Sequence, residues 1–318
     1  MTVLASIDIG TYTARLMVAL VSDSSSKLRP IERRRTYIFT GEGFDSSTRK
    51  IIKREAFERV LAALEDFLAA AGRHGAQRVI GVATGAVREA GNGEEFIRYL
   101  EKNSGVALKI ITGSEEAVLT AKGVFSSMGL KGSENILFDL GGGSTEFILE
   151  STPGAIIKSV PFGAFTLTQR FLKSDPPERE YVEALSDHVD HCLELSFQGL
   201  DLGSEKKDLI GTGGSVVSLG ALIHGIPLEA MNPDKMNGLK LRYEELDNVL
   251  CDIRGLNVDG RIKVTGLDRG RAEVILAGIL STSRIMKYFD ARDLTVSMSD
   301  ILEGLLIDEV EGDKKNGR

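Results

Sequence analysis

Short apolar runs alternate along this chain with longer stretches in which apolar residues recur every three or four positions. The short runs, which are typical of buried strands, cover residues 3–9, 14–21, 78–83, 107–111, 135–139, 145–150, 155–161, 207–210 and 294–296. The clearest of the longer stretches begins at Phe57 and places Val60, Leu64 and Leu68 on one helical face. Further helices are expected over residues 94–102, 112–128, 164–197 with a break at the prolines 176–177, 271–286 and 301–310. This order of strands and helices predicts an α/β fold.

Three segments depart from the alternation. Residues 27–39 predict a third strand that carries Arg33, Arg34 and Arg35. We interpret this run as a solvated edge strand rather than a binding patch, because edge strands are often protected by charge. Residues 226–243 contain Pro and Asn and are expected to form a loop, while residues 311–318 are polar and are expected to form a disordered tail.

A strand, a turn and a second strand occur twice with matching residues. Residues 6–17 align without a gap on the later stretch, so that Asp8 matches Asp139 and Gly10 matches Gly141. A repeat at this distance indicates two similar domains. We expect the two turns to face each other across one cleft, where they would hold a chain of phosphates from both sides.

The later turn, residues 139–146, has the sequence DLGGGSTE. Its glycines let backbone N–H groups approach a ligand closely, and its two hydroxyls add donors. Asp139 and Glu146 supply oxygen ligands of the kind that Mg²⁺ prefers. The pattern therefore predicts a phosphate site with a divalent cation. The structural alternative is a tight hairpin, but three glycines exceed what a two-residue hairpin needs.

Composition narrows the class of protein. The chain has 318 residues, 42% of them hydrophobic and 27% charged, which favours two domains with proper cores. Its net charge of −7 argues against a nucleic-acid binder and requires that any polyanion be held locally. The two cysteines, Cys192 and Cys251, show no metal-type spacing and make a disulfide framework improbable. We recognise neither a signal peptide nor a membrane span, so a cytoplasmic location is expected.

Two stretches in the first half carry candidate chemistry. Arg88 follows the strand 78–83, at an edge where α/β sheets present ligand groups, although an ion pair with Glu89 or a nearby carboxylate explains it equally well. Thr112 and Glu115 fit a capping box at the start of a helix. Because adjacent glutamates point in different directions, one can cap while Glu116 faces elsewhere.

A third glycine-rich loop covers residues 211–215, with the sequence GTGGS, between a strand and a helix. The N-terminus of a helix offers N–H groups to an anion, which favours phosphate binding over simple strand–helix packing. His188 and His191 share a helix face, but neighbouring aspartates favour a solvated polar surface over a metal site. No Walker A, His-Glu-x-x-His or Gly-x-Ser-x-Gly motif is present.

Taken together, these motifs resemble the exopolyphosphatase and guanosine pentaphosphate phosphohydrolase family, within the superfamily of actin, sugar kinases and heat-shock chaperone ATPases. The resemblance covers nearly the whole chain and rests on the two turns, on residues 82–90, 113–117 and 211–214, and on residues 271–278. It implies an α/β fold of two ribonuclease H-like domains around a cleft. The implied domains are residues 1–125 and 126–299, with a last helix at about 300–310 that packs back on the first domain.

The resemblance also implies roles for individual residues. Glu116 matches the family's catalytic glutamate, and the metal ligands for Mg²⁺ or Mn²⁺ are expected to be Asp139, Glu146 and Asp8. The expected phosphate-binding residues are Gly10, Thr11, Thr13, Arg88, Gly141, Gly142, Gly143, Ser144, Thr145, Gly213, Gly214 and Ser215. The first turn departs from the family pattern, because Tyr12 replaces an asparagine. We expect Tyr12 either to weaken the hold on phosphate and offer a stacking surface to guanine, or to pack on a neighbouring strand.

The implied function is hydrolysis of a terminal phosphate from inorganic polyphosphate or from the alarmone guanosine pentaphosphate. A phosphotransferase of the same superfamily that uses ATP and a small acceptor is one alternative, but the sequence shows no clear adenosine pocket. A sensor that binds polyphosphate or an alarmone without catalysis is another, although the presence of Glu116 argues against it. The family is often dimeric, so a homodimer is expected, with no nucleic-acid or membrane partner.

Overall fold

The computed structural model describes residues 1–22, 28–44, 50–130, 135–151, 154–200, 208–264 and 267–315. Within these residues the strands are β1 (Thr2–Ile9), β2 (Thr13–Val21), β3 (Leu28–Tyr37), β4 (Arg78–Ala83), β5 (Leu108–Ile110), β6 (Asn135–Leu140), β7 (Thr145–Ser151), β8 (Gly154–Val160), β9 (Asp208–Thr212), β10 (Lys240–Arg242) and β11 (Asp293–Val296). The helices are α1 (Arg54–Arg73), α2 (Gly85–Glu89), α3 (Gly93–Ser104), α4 (Gly113–Met128), α5 (Ala164–Phe171), α6 (Arg179–Phe197), α7 (Gly214–Ile223), α8 (Pro233–Met236), α9 (Tyr243–Ile253), α10 (Val258–Ile262), α11 (Arg269–Tyr288) and α12 (Ile301–Lys315).

The chain divides into two compact units. The first comprises Met1–Ser127 and the chain from Asp300 onward, and the second comprises Met128–Ser299. Each unit is built on one mixed sheet, as the predicted α/β class requires. The expectation that the two Asp-x-Gly turns share one cleft stays a prediction.

The two sheets repeat one strand order. The first sheet runs β3-β2-β1-β4-β5. The second sheet, written in the corresponding direction, runs β8-β7-β6-β9-β11-β10 and has one additional strand at its end. In each, an antiparallel meander of three strands continues into parallel strands, β4 and β5 in the first and β9 and β11 in the second. The gapless repeat found in the sequence therefore corresponds to the first hairpin of each sheet.

In the first unit, helices cover both faces of the sheet. One face packs on α1 and α3 through a core that includes Phe57, Phe67 and Phe96. The other face packs on α12, where Leu302 and Leu306 meet residues of β1 and β2. The helix α12 therefore belongs to the same core as the first two strands.

β3 is the edge strand that its arginines predicted. It lies at the end of the first sheet, and Arg34 pairs there with Glu32 and Asp66. Arg33 differs, since it reaches the buried carboxylate of Glu303 on α12. One of the three arginines is thus part of the interior.

Two sequence expectations are wrong. Residues 226–243 are not a loop, because they contain a 3-10 turn, α8 and β10, and α9 begins at Tyr243. These elements are too short for periodicity to reveal, and they are fixed by contacts such as the pairing of β10 with β11. Residues 311–315 are helical rather than disordered, and 316–318 lie outside the described residues. Ion pairs hold this end of α12, with Lys122 bound to Glu311 and Arg78 bound to Asp313.

Along the part of the chain that the structure describes, no helix is both long enough and apolar enough to cross a membrane.

Candidate functional site

The turn after β1 directs its carbonyls to one side. Gly10 and Thr11 accept hydrogen bonds from the Thr40 hydroxyl at 2.7 and 2.9 Å, and Tyr12 accepts one from the Ile38 amide at 2.9 Å. A trans peptide points its N–H opposite to the preceding C=O. The amides of residues 11–13 therefore point away from the segment that binds the carbonyls.

The turn after β6 repeats this arrangement with a different support. The carbonyls of Gly141 and Gly142 accept bonds from the first amides of α5, from Ala164 and Phe165, each at 3.0 Å. The amides of Gly142 and Gly143 consequently point away from α5. A Cβ on Gly163 would lie 2.4 Å from the Gly142 carbonyl carbon and the Gly143 nitrogen, so no side chain fits between turn and support.

Both turns are closed by the same backbone bond. The Gly10 amide donates to the Thr13 carbonyl at 3.0 Å, and the Gly141 amide donates to the Ser144 carbonyl at 3.1 Å. A hairpin that only reversed the chain would need neither the carbonyl supports nor the aligned amides. This geometry suits an anion, because consecutive N–H groups on one side form a concave donor surface.

The two turns differ at the position opposite their aspartates. In the first sheet Asp8 is paired in register with Arg15, and in the second sheet Asp139 is paired with Glu146. Directly opposed residues of antiparallel strands project from the same face with their Cβ atoms about 5 Å apart. The first turn therefore brings a carboxylate to a guanidinium, and the second brings two carboxylates together.

Arg15 occupies the place at Asp8 where a metal ion was expected. Its Nε and Nη2 atoms donate to one carboxylate oxygen of Asp8 at 3.1 and 2.7 Å, and Thr84 approaches the other oxygen at 3.4 Å. Burial raises the pKa of Asp8, and Arg15 opposes that shift. Arg15 thus gives the negative charge of Asp8 a cationic partner, and the expectation that Asp8 binds a metal ion stays a prediction.

The second turn fits a divalent cation better. Asp139 and Glu146 are 8% and 2% exposed, and the Ser159 hydroxyl donates to Glu146 at 2.8 Å. Two buried carboxylates side by side favour a positive charge between them. Among the residues that the structure describes, no group of three or more His, Cys, Asp or Glu side chains could hold a metal ion. A two-carboxylate site still suits Mg²⁺, which keeps several waters and often completes its shell with substrate phosphates.

Two of the predicted hydroxyl ligands have hydrogen-bond partners among the residues that the structure describes, and a third has none. Thr145 is fully buried and donates to the Phe162 carbonyl at 2.7 Å, so its hydroxyl hydrogen is unavailable to phosphate. The Thr11 oxygen accepts the Ala86 amide at 2.9 Å. The Ser215 hydroxyl is buried against Gly278 of α11 and has no hydrogen-bond partner in the described part of the chain. Thr145 is therefore a poor donor to phosphate, whereas phosphate binding by Thr11 and Ser215 stays a prediction.

Tyr12 packs on the neighbouring strand, the second of the two alternatives. It is 4% exposed, and its ring centroid lies 5.0 Å from that of Tyr37 and 5.2 Å from that of Phe39. Its ring therefore offers no free face to a guanine base. Its packing on Tyr37 and Phe39 supports the turn from the side of β3.

The two adjacent glutamates of α4 have separate roles. Glu115 accepts the Thr112 amide at 2.8 Å and Thr112 accepts the Glu115 amide at 3.2 Å, which confirms the capping box. Lys109 and these bonds lower the pKa of Glu115 to about 2. Glu116 turns away from the cap, is 13% exposed and pairs with Arg88 at 2.8 Å. Arg88 also donates to the Ile111 carbonyl at 3.1 Å, so it holds the glutamate in a fixed place.

The third glycine loop brings two opposite charges to the start of α7. Gly213 has φ of 96°, and a Cβ there would lie 2.9 Å from an Asp139 carboxylate oxygen. A Cβ on Gly214 would lie 1.9 Å from a guanidinium nitrogen of Arg271, which is 8% exposed. No side chain caps α7, so its first amides lie beside both groups. The sequence analysis gave Arg271 no role. The feature that could have drawn attention to it is a charged residue in the first turn of α11, on a helix face that is otherwise mostly apolar.

A cavity of about 270 Å³ lies between α5, α10 and α11. Its buried arginine, Arg261, is bound to Asp175 at 2.8 Å and to two backbone carbonyls. The lining mixes apolar side chains such as Phe165 and Leu276 with polar ones that include the carboxylates of Asp175 and Glu273. Because its arginine is already paired and its other charged lining residues are carboxylates, the cavity is a poor place for a phosphate chain.

His188 of α6 is packed against neighbouring side chains. His188 lies 3.4 Å from Arg170 and 3.6 Å from the sulfur of Cys192, and its ring stacks on Phe171. Burial lowers the pKa of His188, which favours the neutral ring. The prediction of a solvated polar face needs one correction, because His188 is partly packed rather than fully solvated.

Comparisons with known proteins cover nearly the whole chain. Residues 18–312 match the model of the Ppx/GppA phosphatase family. Exopolyphosphatase 2 of Mycobacterium tuberculosis is 30% identical over 318 residues, which cover 96% of this chain and 98% of that protein. The bifunctional 3-dehydroquinate synthase/phosphatase of Fusobacterium nucleatum is 29% identical, over 96% of this chain and 46% of that protein.

Solved structures agree with the sequence comparison. The Ppx/GppA family member of Aquifex aeolicus is 28% identical, covers 98% of both chains and has a TM-score of 0.78. An exopolyphosphatase-like protein, 26% identical, covers 97% of both chains with a TM-score of 0.87. These likenesses show the two-domain actin-like fold and confirm the family resemblance read from the motifs. The chain therefore belongs to the Ppx/GppA phosphatase family.

Proposed function

We propose that this protein is a phosphohydrolase that releases the terminal phosphate of a phosphoanhydride chain, with inorganic polyphosphate as its substrate. Membership of a phosphatase family and similarity to proteins named exopolyphosphatases support the reaction class. The observation that carries the proposal is the second turn, where outward amides lie beside two buried carboxylates. That combination suits a phosphate chain and its counter-ion better than it suits a neutral ligand.

Phosphate binding is assigned mainly to backbone groups. The amides of Gly142 and Gly143 and the uncapped N-terminus of α7 donate to phosphate oxygens, and the helix dipole favours the negative charge. The Arg271 guanidinium adds a full positive charge at the same glycines. The amides of residues 11–13 provide a second donor surface of the same design in the first unit. Local donors of this kind explain how a chain of net charge −7 binds a polyanion.

Water activation is assigned to Glu116. Its carboxylate accepts a proton from the attacking water as the water oxygen bonds to the terminal phosphorus and the bridging P–O bond breaks. Arg88 fixes the orientation of this carboxylate through the 2.8 Å ion pair. Glu115 is excluded from that role because the helix cap and Lys109 occupy its oxygens.

The carboxylates of Asp139 and Glu146, with the hydroxyl of Ser159 behind them, are the residues that would hold Mg²⁺ or Mn²⁺. Such an ion neutralises charge on phosphoryl oxygens when it is bound. Ser159 fixes the Glu146 carboxylate through its hydrogen bond, which keeps the two carboxylates aligned.

Guanosine pentaphosphate is the alternative substrate for the same chemistry. Tyr12 does not favour it, because the buried ring cannot stack on guanine. Phosphate release measured side by side on polyphosphate and guanosine pentaphosphate decides between these two substrates.

A homodimer and a cytoplasmic location remain predictions. Sedimentation or light scattering tests whether the protein is a dimer.

A matched pair of variants tests the mechanism. Glu116→Gln should lower kcat for polyphosphate by ~10²-fold or more, the scale of general-base catalysis, with KM nearly unchanged. Glu115→Gln changes the adjacent residue in the same way and should retain turnover. Normal kcat in Glu116→Gln would remove this residue from the mechanism, and equal losses in both variants would indicate damage to the helix instead.

A further inference from the structure

α12 begins with a reciprocal cap whose carboxylates serve a second purpose. Asp300 accepts the Leu302 amide at 3.0 Å through one oxygen, and Glu303 accepts the Asp300 amide at 3.0 Å through one oxygen. The remaining oxygens bind Arg15 of β2 and Arg33 of β3, respectively. The first turn of α12 is therefore anchored to the sheet beside the Asp8 turn.

A buried hydroxyl adds a third anchor. Ser6 of β1 donates to the Leu302 carbonyl at 2.9 Å, and Ser6 is fully buried. Arg15 binds Asp8 as well as Asp300, so the start of α12 and the first turn share one guanidinium. Neither can shift independently of the other without breaking a buried ion pair.

The same turn of α12 touches α4 backbone to backbone. A Cβ on Gly123 would lie 2.0 Å from the Asp300 carbonyl oxygen, and a Cβ on Gly304 would lie 1.9 Å from the Leu119 carbonyl oxygen. Real Cβ contacts do not fall below 3.0 Å, so any side chain at either glycine would push the helices apart by about 1 Å or more. The glycines thus fix both the separation of the helices and the place where they cross.

Glu116 lies on the α4 face that makes this crossing. Residues 116, 119 and 123 are spaced i, i+3 and i+7 and share one side of a helix. Glu116 is one to two turns, about 10 Å, from the crossing. A shift of α4 against α12 is therefore passed directly to the carboxylate.

We propose that Gly123, Gly304 and Asp300 are positioning residues that hold Glu116 in place relative to the Asp8–Arg15 turn. The proposal rests on the assignment of Glu116 as the general base. It goes beyond that assignment, because it explains why a helix that carries no reacting group belongs to the active machinery. A misplacement of about 1 Å at a reacting group is enough to lower a rate ~10²-fold.

The chain offers a matched control on the same helix. Gly304→Ala and Gly312→Ala introduce the same methyl group into α12, but a Cβ on Gly312 has no atom within 4 Å. Gly304→Ala should lower kcat for polyphosphate ~10- to 100-fold and change KM less than about threefold. Gly312→Ala should keep normal kcat, and circular dichroism should show that both proteins are folded. Equal kcat in the two variants would overturn the proposal.

A double-mutant cycle separates positioning from general damage. In the Glu116→Gln background, Gly304→Ala should change the residual turnover less than about twofold, because the base on which it acts is absent. A further loss as large as that in the wild type would show that the glycine acts elsewhere and would also overturn the proposal. Normal turnover in Glu116→Gln alone would instead overturn the proposed function, so the two failures are distinguishable.

A second variant covers the case in which Gly304→Ala does not fold. Asp300→Asn keeps the shape and the helix cap but removes the charge that draws Arg15. It should lower kcat several-fold in the wild type and have no further effect in Glu116→Gln. Its control is Asp308→Asn, an exposed position of the same helix that pairs with Lys122 and should leave kcat unchanged. Equal kcat in the two Asn variants would contradict the proposal.

Discussion

The Asp8 turn and the Asp139 turn share their backbone hydrogen bonds but differ in the charge that lies opposite the aspartate. Both close with a glycine amide bonded to the carbonyl three residues later, and both direct their carbonyls into a support. In the first turn, Arg15 neutralises the aspartate; in the second, Glu146 adds another negative charge. The comparison teaches that a repeated turn can differ in charge through one register position.

The N-termini of α4 and α7 also differ between the two units. The Thr112–Glu115 box caps α4 with its own side chains, while Gly213 leaves α7 without a side-chain cap. The helix of the first unit is therefore closed to an anion and carries the candidate base. The helix of the second unit is open to an anion, with Arg271 beside it. We infer that the second unit supplies most of the hold on phosphate and on the cation.

Removal of the internal cation should have the largest effect on stability. Arg15→Met leaves the carboxylates of Asp8 and Asp300, 6% and 7% exposed, without their shared partner. Breaking a buried pair in this way should lower the free energy of unfolding by about 4 kcal/mol, measured by chemical denaturation.

Arg179→Met is the control for that variant, because Arg179 and Glu183 form an ion pair at the surface, 91% and 57% exposed. It should change stability only slightly. Similar effects of the two variants would show that Arg15 is not the internal cation of the first turn.

The second prediction concerns Tyr12, which occupies the position of Gly143 when the two turns are aligned. Its ring packs on Tyr37 and Phe39. Tyr12→Asn should cost about 3 kcal/mol of stability through lost aromatic packing. It should leave the ratio of kcat/KM for polyphosphate and guanosine pentaphosphate unchanged, measured with both substrates. A several-fold rise in that ratio would restore Tyr12 as a specificity residue.

Only part of the fold and of the candidate site could be predicted from the sequence alone. The gapless repeat, the hairpin in each sheet and the helix cap formed by Thr112 and Glu115 follow from spacing and local chemistry. The ion pairs of Arg15 with Asp8 and Asp300 could not be predicted, because they depend on strand register and on a residue 285 positions from Arg15. The packing of Arg271 on Gly214 and the Gly123–Gly304 crossing likewise join residues that are distant in sequence. Periodicity reports which face of an element is buried but not what that face meets.

The third prediction tests through enzyme activity whether the second turn, rather than the first, binds the cation. Glu146→Gln should lower kcat/KM for polyphosphate by ~10²-fold at a fixed, low Mg²⁺ concentration, and extra Mg²⁺ should restore part of it. Asp8→Asn should cost less than about tenfold and leave the Mg²⁺ concentration for half-maximal activity unchanged. A titration of activity against Mg²⁺ for both variants provides the measurement. If Asp8→Asn, rather than Glu146→Gln, shifts the Mg²⁺ concentration for half-maximal activity, the assignment of the cation to the second turn is wrong.

The smallest expected effect concerns the cap of α4. The pKa of Glu115 is lowered from 4.5 to about 2, so its ionised form stabilises the folded protein above about pH 4.5. That contribution is lost as the pH falls toward 2. Because the side chain is 44% exposed, Glu115→Gln should cost only roughly 0.5 kcal/mol near neutral pH. Denaturation at several pH values should show the difference from wild type shrinking in acid; a difference that grew in acid would contradict this assignment.

The most direct test of the central claim is the effect of Mg²⁺ on thermal unfolding, which needs no substrate. A ligand that binds only the folded protein raises its stability by about 2.7 kcal/mol at a hundred times its Kd. Saturating Mg²⁺ should therefore raise the Tm of the wild type and of Asp8→Asn by several degrees, and should leave the Tm of Glu146→Gln unchanged. A Tm shift that is retained in Glu146→Gln but lost in Asp8→Asn would contradict the assignment of the cation to the second turn.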